Sequence, residues 1–95
     1  MTTVTLLIFS GRPDPRWDLT AGKVKSLVRR LRHVESAAEL PTLGYRGFLV
    51  ESDDPGMPSE VIVRDLPQLE RFLLGSGGKH LTPEITRIVE EAIKD

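Results

Sequence analysis

Two prolines stand close behind the most strand-like run of the chain and decide how it must be divided. Thr3-Val-Thr-Leu-Leu-Ile-Phe9 is β-branched and apolar with partial alternation, and Ser10-Gly11 closes it. That pattern predicts a first strand buried on at least one face. In Ser10-Gly-Arg-Pro-Asp-Pro-Arg-Trp-Asp18, which follows, Pro13 and Pro15 remove backbone donors and push the residues before them toward extended geometry. No helix runs through such a stretch, so it reads as a stiff loop. It holds the only tryptophan of the chain, Trp17.

Beyond the loop the periodicity becomes helical. From Asp18 or Thr20, both competent N-caps, apolar residues recur at Val24, Leu27, Val28, Leu31, Val34 and Ala38, until Pro41 and Gly44 end the helix. Arg46–Glu51 and Glu60–Arg64 are short β-rich runs around Ser52–Ser59, where Pro55-Gly56 suits the centre of a type II turn. They are expected to pair as a hairpin. Asp65 and Gln68 have the spacing of a capping box, and Leu66, Leu69, Phe72 and Leu73 continue a second helix to Gly75 at its C-cap. Gly75-Ser-Gly-Gly78 reads as a flexible joint. Thr82-Pro83-Glu84 then combines a cap, a first-turn proline and an acid at the positive helix end, and Ile85, Ile88, Val89, Ala92 and Ile93 mark the face expected to be buried.

Ninety-five residues leave no room for a second core, so residues 1–95 are read as one α+β domain of order βαββαα. A right-handed crossover through the first helix would set the first two strands parallel, with the third inserted antiparallel between them. The expected sheet is three-stranded and mixed, in the order 1-3-2, with helices on one face, like part of a ferredoxin-like fold.

Several classes of function drop out. The chain has no cysteine, which excludes disulfides, thiolate metal sites and thiol catalysis. Its longest apolar run is too short for a bilayer, and Met1-Thr2-Thr3 carries no basic leader, so no membrane association and a cytoplasmic location are expected. His33 and His80 are the only histidines, and neither has an acid at metal-ligand spacing. Asp53-Asp54 reads as a solvated turn, and Gly75-Ser-Gly-Gly-Lys79 lacks the frame of a phosphate loop and follows a helix. No catalytic residue, metal or cofactor is expected.

The candidate binding residues are Arg12, Asp14, Arg16 and Trp17 in the proline loop, with Tyr45 and Arg46 after the first helix. As an anchor, the loop would offer an indole contact and two guanidinium forks for a carboxylate or phosphate. Alternatively, Trp17 plugs the end of the core while Arg12 and Asp14 pair locally. Gly47, inside a strand run, marks a bulge or a close approach, with packing against Trp17 or a helix as the favoured reading. Arg46-Gly47-Phe48 matches the opening of an RNA-recognition signature, but Leu49-Val-Glu-Ser52 supplies none of its later aromatics.

Charge is divided along the chain: residues 1–50 carry eight Lys/Arg and four acids, and residues 51–95 five and ten. The first helix has a basic face of Lys23, Lys25, Arg29, Arg30, Arg32 and His33. It could meet phosphates, or be solvated or paired with the acidic last helix; the net charge of −1 argues against nucleic acid.

Ser10-Gly-Arg-Pro-Asp-Pro-Arg-Trp17 and Leu43-Gly-Tyr-Arg-Gly-Phe48 together resemble two segments shared by a group of small uncharacterised bacterial proteins, S-G-R-P-x-P-x-W and L-G-Y-R-G-F. The resemblance implies a bacterial, cytoplasmic protein and assigns no residue a role. The expected function is that of a non-enzymatic accessory or adaptor protein, which binds a partner enzyme or peptide through a sheet edge and the Pro/Arg/Trp loop. One alternative is a small-ligand protein or minor enzyme that holds a carboxylate or phosphate with the same arginines. A second is a weak nucleic-acid binder using the basic helix. A homodimer through strand edges is a further expectation.

Overall fold

The computed structural model describes residues 1–9, 13–31 and 45–93. Its elements are β1 (Thr2–Leu6), β2 (Arg16–Asp18), α1 (Ala21–Leu31), β3 (Phe48–Ser52), β4 (Glu60–Val63), α2 (Pro67–Ser76), a 3-10 turn (Gly78–His80) and α3 (Pro83–Ala92). The chain is a small α+β unit of three helices and one sheet.

The sheet differs from the expected three-stranded 1-3-2 arrangement. It has four strands in the order β2-β1-β3-β4, and every neighbouring pair is antiparallel. The added strand is Arg16-Trp-Asp18, which turns back from the proline loop to place Trp17 beside Val4. Leu6 N–H donates to Pro15 O and Leu19 N–H to Thr2 O, each at 2.9 Å, so the hairpin is bonded at both ends. This reversal leaves β2 and β3 parallel, on opposite sides of β1. The crossover through α1 therefore joins β2 to β3, and the first strand and the hairpin strand next to it run antiparallel.

Alternation then sorts the sheet into two faces. Val4, Leu6, Trp17, Phe48, Val50 and Val63 are buried, and they join Leu27 of α1, Leu69, Leu73 and Leu74 of α2, and Val89 and Ile93 of α3 in one core. The other face carries Thr3, Thr5, Leu49 and Ile62, partly exposed, and Arg16, Asp18, Glu51 and Glu60, exposed.

Local signals hold in part. Thr20 starts α1, accepting from Lys23 N–H at 3.4 Å through its hydroxyl and from Val24 N–H at 2.9 Å through its carbonyl. The expected continuation through Val34 and Ala38, and the stop at Pro41 and Gly44, lie outside the described residues. The hairpin forms as expected, and Met57 N–H closes a turn on Asp54 O at 3.1 Å around Pro55-Gly56. Gly56 keeps a negative φ, so the turn is not type II. Before α2, Asp65 takes a left-handed φ of 59°, and Leu66 is the N-cap with no side-chain bond of its own. Glu70 does the capping, accepting Leu66 N–H at 3.1 Å; Asp65 and Gln68 form no capping box.

The expected glycine joint is a packed corner. Gly75 and Ser76 belong to α2, and a Cβ on Gly77 would stand 2.5 Å from Leu81 Cδ1 and 3.2 Å from Trp17 Cη2. Arg46 and Gly47 together oppose Leu7, since Leu7 N–H donates to Gly47 O and Arg46 N–H to Leu7 O, which makes a β-bulge. Gly47 has φ +103°, and a Cβ there would lie 2.5 Å from Val63 O. Its close neighbour is the β4 backbone, and neither Trp17 nor a helix.

On α3, Thr82 caps Ile85 N–H at 3.1 Å, but the buried stripe is narrower than expected. Only the i, i+4 row of Ile85, Val89 and Ile93 turns inward, and Ile88 is 47 % exposed. Val89→Ala is expected to cost about 2 kcal/mol and Ile88→Ala less than about 0.5 kcal/mol in urea unfolding. Equal losses would mean that α3 docks by another face. Gly47→Ala should cost more than about 2 kcal/mol, because strained backbone and a carbonyl clash coincide; a neutral result in the same assay would contradict the bulge geometry.

Candidate functional site

Past the end of β1, the N–H groups of Ile8 and Phe9 are met by the proline loop. Asp14 Oδ1 accepts from Ile8 N–H at 3.0 Å and from Phe9 N–H at 2.7 Å. Arg46, carried by the bulge, donates from Nη2 to Phe9 O at 2.9 Å and stands 3.8 Å from Asp14 Oδ2. Asp14 and Arg46 thus meet as a clip that closes the loop on the sheet, with both side chains largely covered. Arg12 lies outside the described residues, and the partner that Asp14 has here is Arg46.

Tyr45 is turned the other way. Its ring meets Phe48 edge-on at 5.9 Å, and its hydroxyl donates to Glu70 Oε1 at 2.5 Å. Glu70 is buried, and its second oxygen accepts Leu66 N–H. Burial, and then the bond to the Glu70 carboxylate, push the Tyr45 hydroxyl well above the ordinary phenol range. The phenol is a fixed donor to the start of α2. It is not placed to act as a base.

Trp17 is 3 % exposed. Its Nε1 donates to Ser76 Oγ at 2.8 Å, and Ser76 Oγ donates onward to Leu73 O at 2.5 Å. The indole meets Phe48 edge-on at 6.5 Å and stacks on His80 at 6.4 Å. In this position its surface is shared out among core residues, so a contact made by β2 falls to its other two residues.

Those neighbours are Arg16 and Asp18. Strand alternation sends both side chains to the open face, where both are exposed. Backbone geometry isolates the same two residues. Leu6 with Pro15, Val4 with Trp17 and Thr2 with Leu19 are the hydrogen-bonded pairs of the β1–β2 ladder, so the N–H and C=O groups of Arg16 and Asp18 point away from β1. β2 ends the sheet on this side, and no strand among the described residues lies beyond them. Beside this edge Thr3, Arg16, Trp17, Asp18 and His80 line an open pocket of about 340 Å³. Thr3 Oγ1 donates to Asp18 Oδ1 at 2.9 Å and fixes one wall. Among the described residues no cluster of three or more His, Asp or Glu is placed to hold a metal ion.

The six residues singled out in the sequence are therefore divided. Asp14 and Arg46 form the clip, Tyr45 anchors α2, Trp17 fills the core, and Arg16 alone of those described faces solvent. Asp18, Thr3 and His80, which join Arg16 at the edge, were hidden from the sequence reading because β2 was not assigned as a strand. The polar-apolar-polar order of Arg16-Trp-Asp18 hints at a strand but is too short to assign one by itself.

A second concave surface runs along α1. Leu19, Val24 and Val28 line a groove of about 620 Å³ together with the exposed Met1, with Lys25 and Arg29 of α1 and Asp54 also in its walls. Bonds from the Thr2 hydroxyl at 2.6 Å and from Ser52 hold the Asp54 carboxyl below its usual range. Of the basic face, Arg32 and His33 lie outside the described residues, and the described part is split, since Lys23 and Arg30 lie over the Phe72 ring of α2 at 5.9 and 4.8 Å. No family model, curated protein or solved structure matches the chain.

Tyr45→Phe is expected to cost about 1–3 kcal/mol, because it leaves a buried carboxylate oxygen without its hydroxyl donor. The wild-type phenol is raised above its unfolded value, so the stability it provides is full below about pH 10 and is lost as the pH rises beyond it. Urea midpoints between pH 8 and pH 11 should fall for the wild type and fall less for Tyr45→Phe; parallel curves would show that Tyr45 is not linked to folding.

Proposed function

We propose that the protein is a non-enzymatic accessory protein of the cytoplasm that receives an extended segment of a partner protein as an additional strand on the outer edge of β2. The observation that carries this reading is the outward-facing backbone of Arg16 and Asp18, beside a pocket walled by their side chains and His80. An incoming strand gains main-chain hydrogen bonds from the edge and takes its specificity from alternate side chains. Arg16, Asp18 and His80 favour a segment that places a polar or charged residue in the pocket. No helix among the described residues is long and apolar enough to cross a membrane, which agrees with a partner met in solution.

The same arrangement weakens the competing readings. A small anion held between Arg46 and Tyr45 would compete with bonds already made there, since Arg46 Nη2 donates to Phe9 O and the Tyr45 hydroxyl to Glu70. A phosphate-binding helix would need its cations at liberty, and two of them lie over Phe72.

Asp18→Pro separates recognition from folding. It deletes an N–H that points outward and leaves the β1 ladder intact, a substitution that edge strands accept. A partner segment identified by copurification from the native host should bind the wild type and fail to bind Asp18→Pro, while thermal stability changes by less than about 1 kcal/mol. Asp18→Asn should retain binding. Undiminished capture by Asp18→Pro would refute strand addition at this edge.

A further inference from the structure

Two large apolar side chains, Met1 and Ile88, are exposed among the described residues, and each adjoins a charged surface. Met1 lines the groove along α1, whose α1 side carries Lys25 and Arg29, and its amino group pairs on the other side with Asp53 and Asp54. Ile88 stands on the outer side of α3, with Glu84 four residues before it and Glu91 three residues after it. Helical spacing puts these three on one face, and all three are exposed. Arg87 lies on the adjoining side of the helix, and Glu90 keeps the described surface of α3 acidic.

We infer that this groove is the docking site for α3 of a second copy of the chain, with Ile88 on the apolar floor and Glu84 and Glu91 against Lys25 and Arg29. Complementarity of charge, size and polarity carries the inference. The groove follows α1 from Ala21 to Arg29, about 12 Å at the helical rise, and Glu84 to Glu91 spans about 10 Å of α3. Leu19, Val24 and Val28 offer the floor that an exposed isoleucine lacks in its own chain. Lys25 and Arg29 are the cations of α1 that do not lie over Phe72. On the α1 side of the groove, Lys25 and Arg29 are thus the cations left to meet Glu84 and Glu91, while Asp54 on the far side pairs with the amino group of Met1. The groove and the pocket at the β2 edge share no lining residue.

Sedimentation equilibrium on the full chain, from about 5 to about 500 μM, should show an apparent mass rising above that of one chain, and less so at high salt. Lys25→Glu with Arg29→Glu should weaken association roughly tenfold or more, and Glu84→Lys with Glu91→Lys should do the same. Mixing the two reversed proteins should restore it, because each groove then meets a helix of opposite charge. Ile88→Ser is the second variant, which weakens association without altering charge. Unfolding curves for each variant check that the fold is retained. A wild type that stays at one chain's mass throughout, association unaffected by the reversals, or a mixture that fails to recover would each overturn the inference.

Discussion

Trp17 belongs to the outermost strand of the sheet and is nevertheless almost fully covered, because the end of α2 and the 3-10 turn close over it. A three-residue strand has few ladder bonds with which to stay in place. Burial of an indole, at roughly 25 cal/mol per Å² over about 150–250 Å², contributes on the order of 4–6 kcal/mol to holding it. Much of the neighbourhood is shaped around that ring. Gly77 has no room for a side chain, Ser76 relays the indole N–H to the α2 carbonyl of Leu73, and Phe48 meets the ring edge-on. With Trp17 fixed inward, alternation leaves Arg16 and Asp18 no choice but to face out.

Elements whose pattern depends on neighbours in sequence were legible without coordinates. The β-branched run of β1, the hairpin β3–β4 with its Pro55-Gly56 turn, and the threonine caps at Thr20 and Thr82 all follow from local stereochemistry. What depends on distant contacts was not. β2 has one apolar residue in three, too little for a strand signal, and its existence rests on Ser76, Gly77 and Phe48, which are far away in the chain. Missing it set the first two strands parallel, because the chain reversal before α1 was then absent. Ile88 was misassigned for a related reason: periodicity gives the apolar arc of a helix, but the breadth of the docked face is set by what it meets, and α3 meets the core along one row.

The same distinction explains the site. Residue type marked the arginines, Trp17 and Tyr45 as able to bind, yet type alone does not reveal whether a side chain is already occupied. Asp14 accepts from two N–H groups past the end of β1, Arg46 donates to a carbonyl there, and Tyr45 donates to the buried Glu70, so three of the conspicuous polar residues stabilise the loop and the start of α2. The surface that stays available is defined by backbone direction, which no residue type announces. It lies at one edge of the sheet, separate from the groove along α1, so one chain can offer an edge to an extended segment and a groove to a helix.

The central claim is that Trp17 holds β2 on the sheet with its inner backbone bonded and its outer backbone free. Residue-resolved amide hydrogen exchange on the free protein tests this most directly. The account predicts that Trp17 and Leu19 N–H groups, which face β1, exchange slowly, while Arg16 and Asp18 N–H groups exchange close to unfolded-chain rates. Protection of all four would mean that the edge is already covered, and rapid exchange of all four would mean that β2 is not held by its tryptophan; either result contradicts the account.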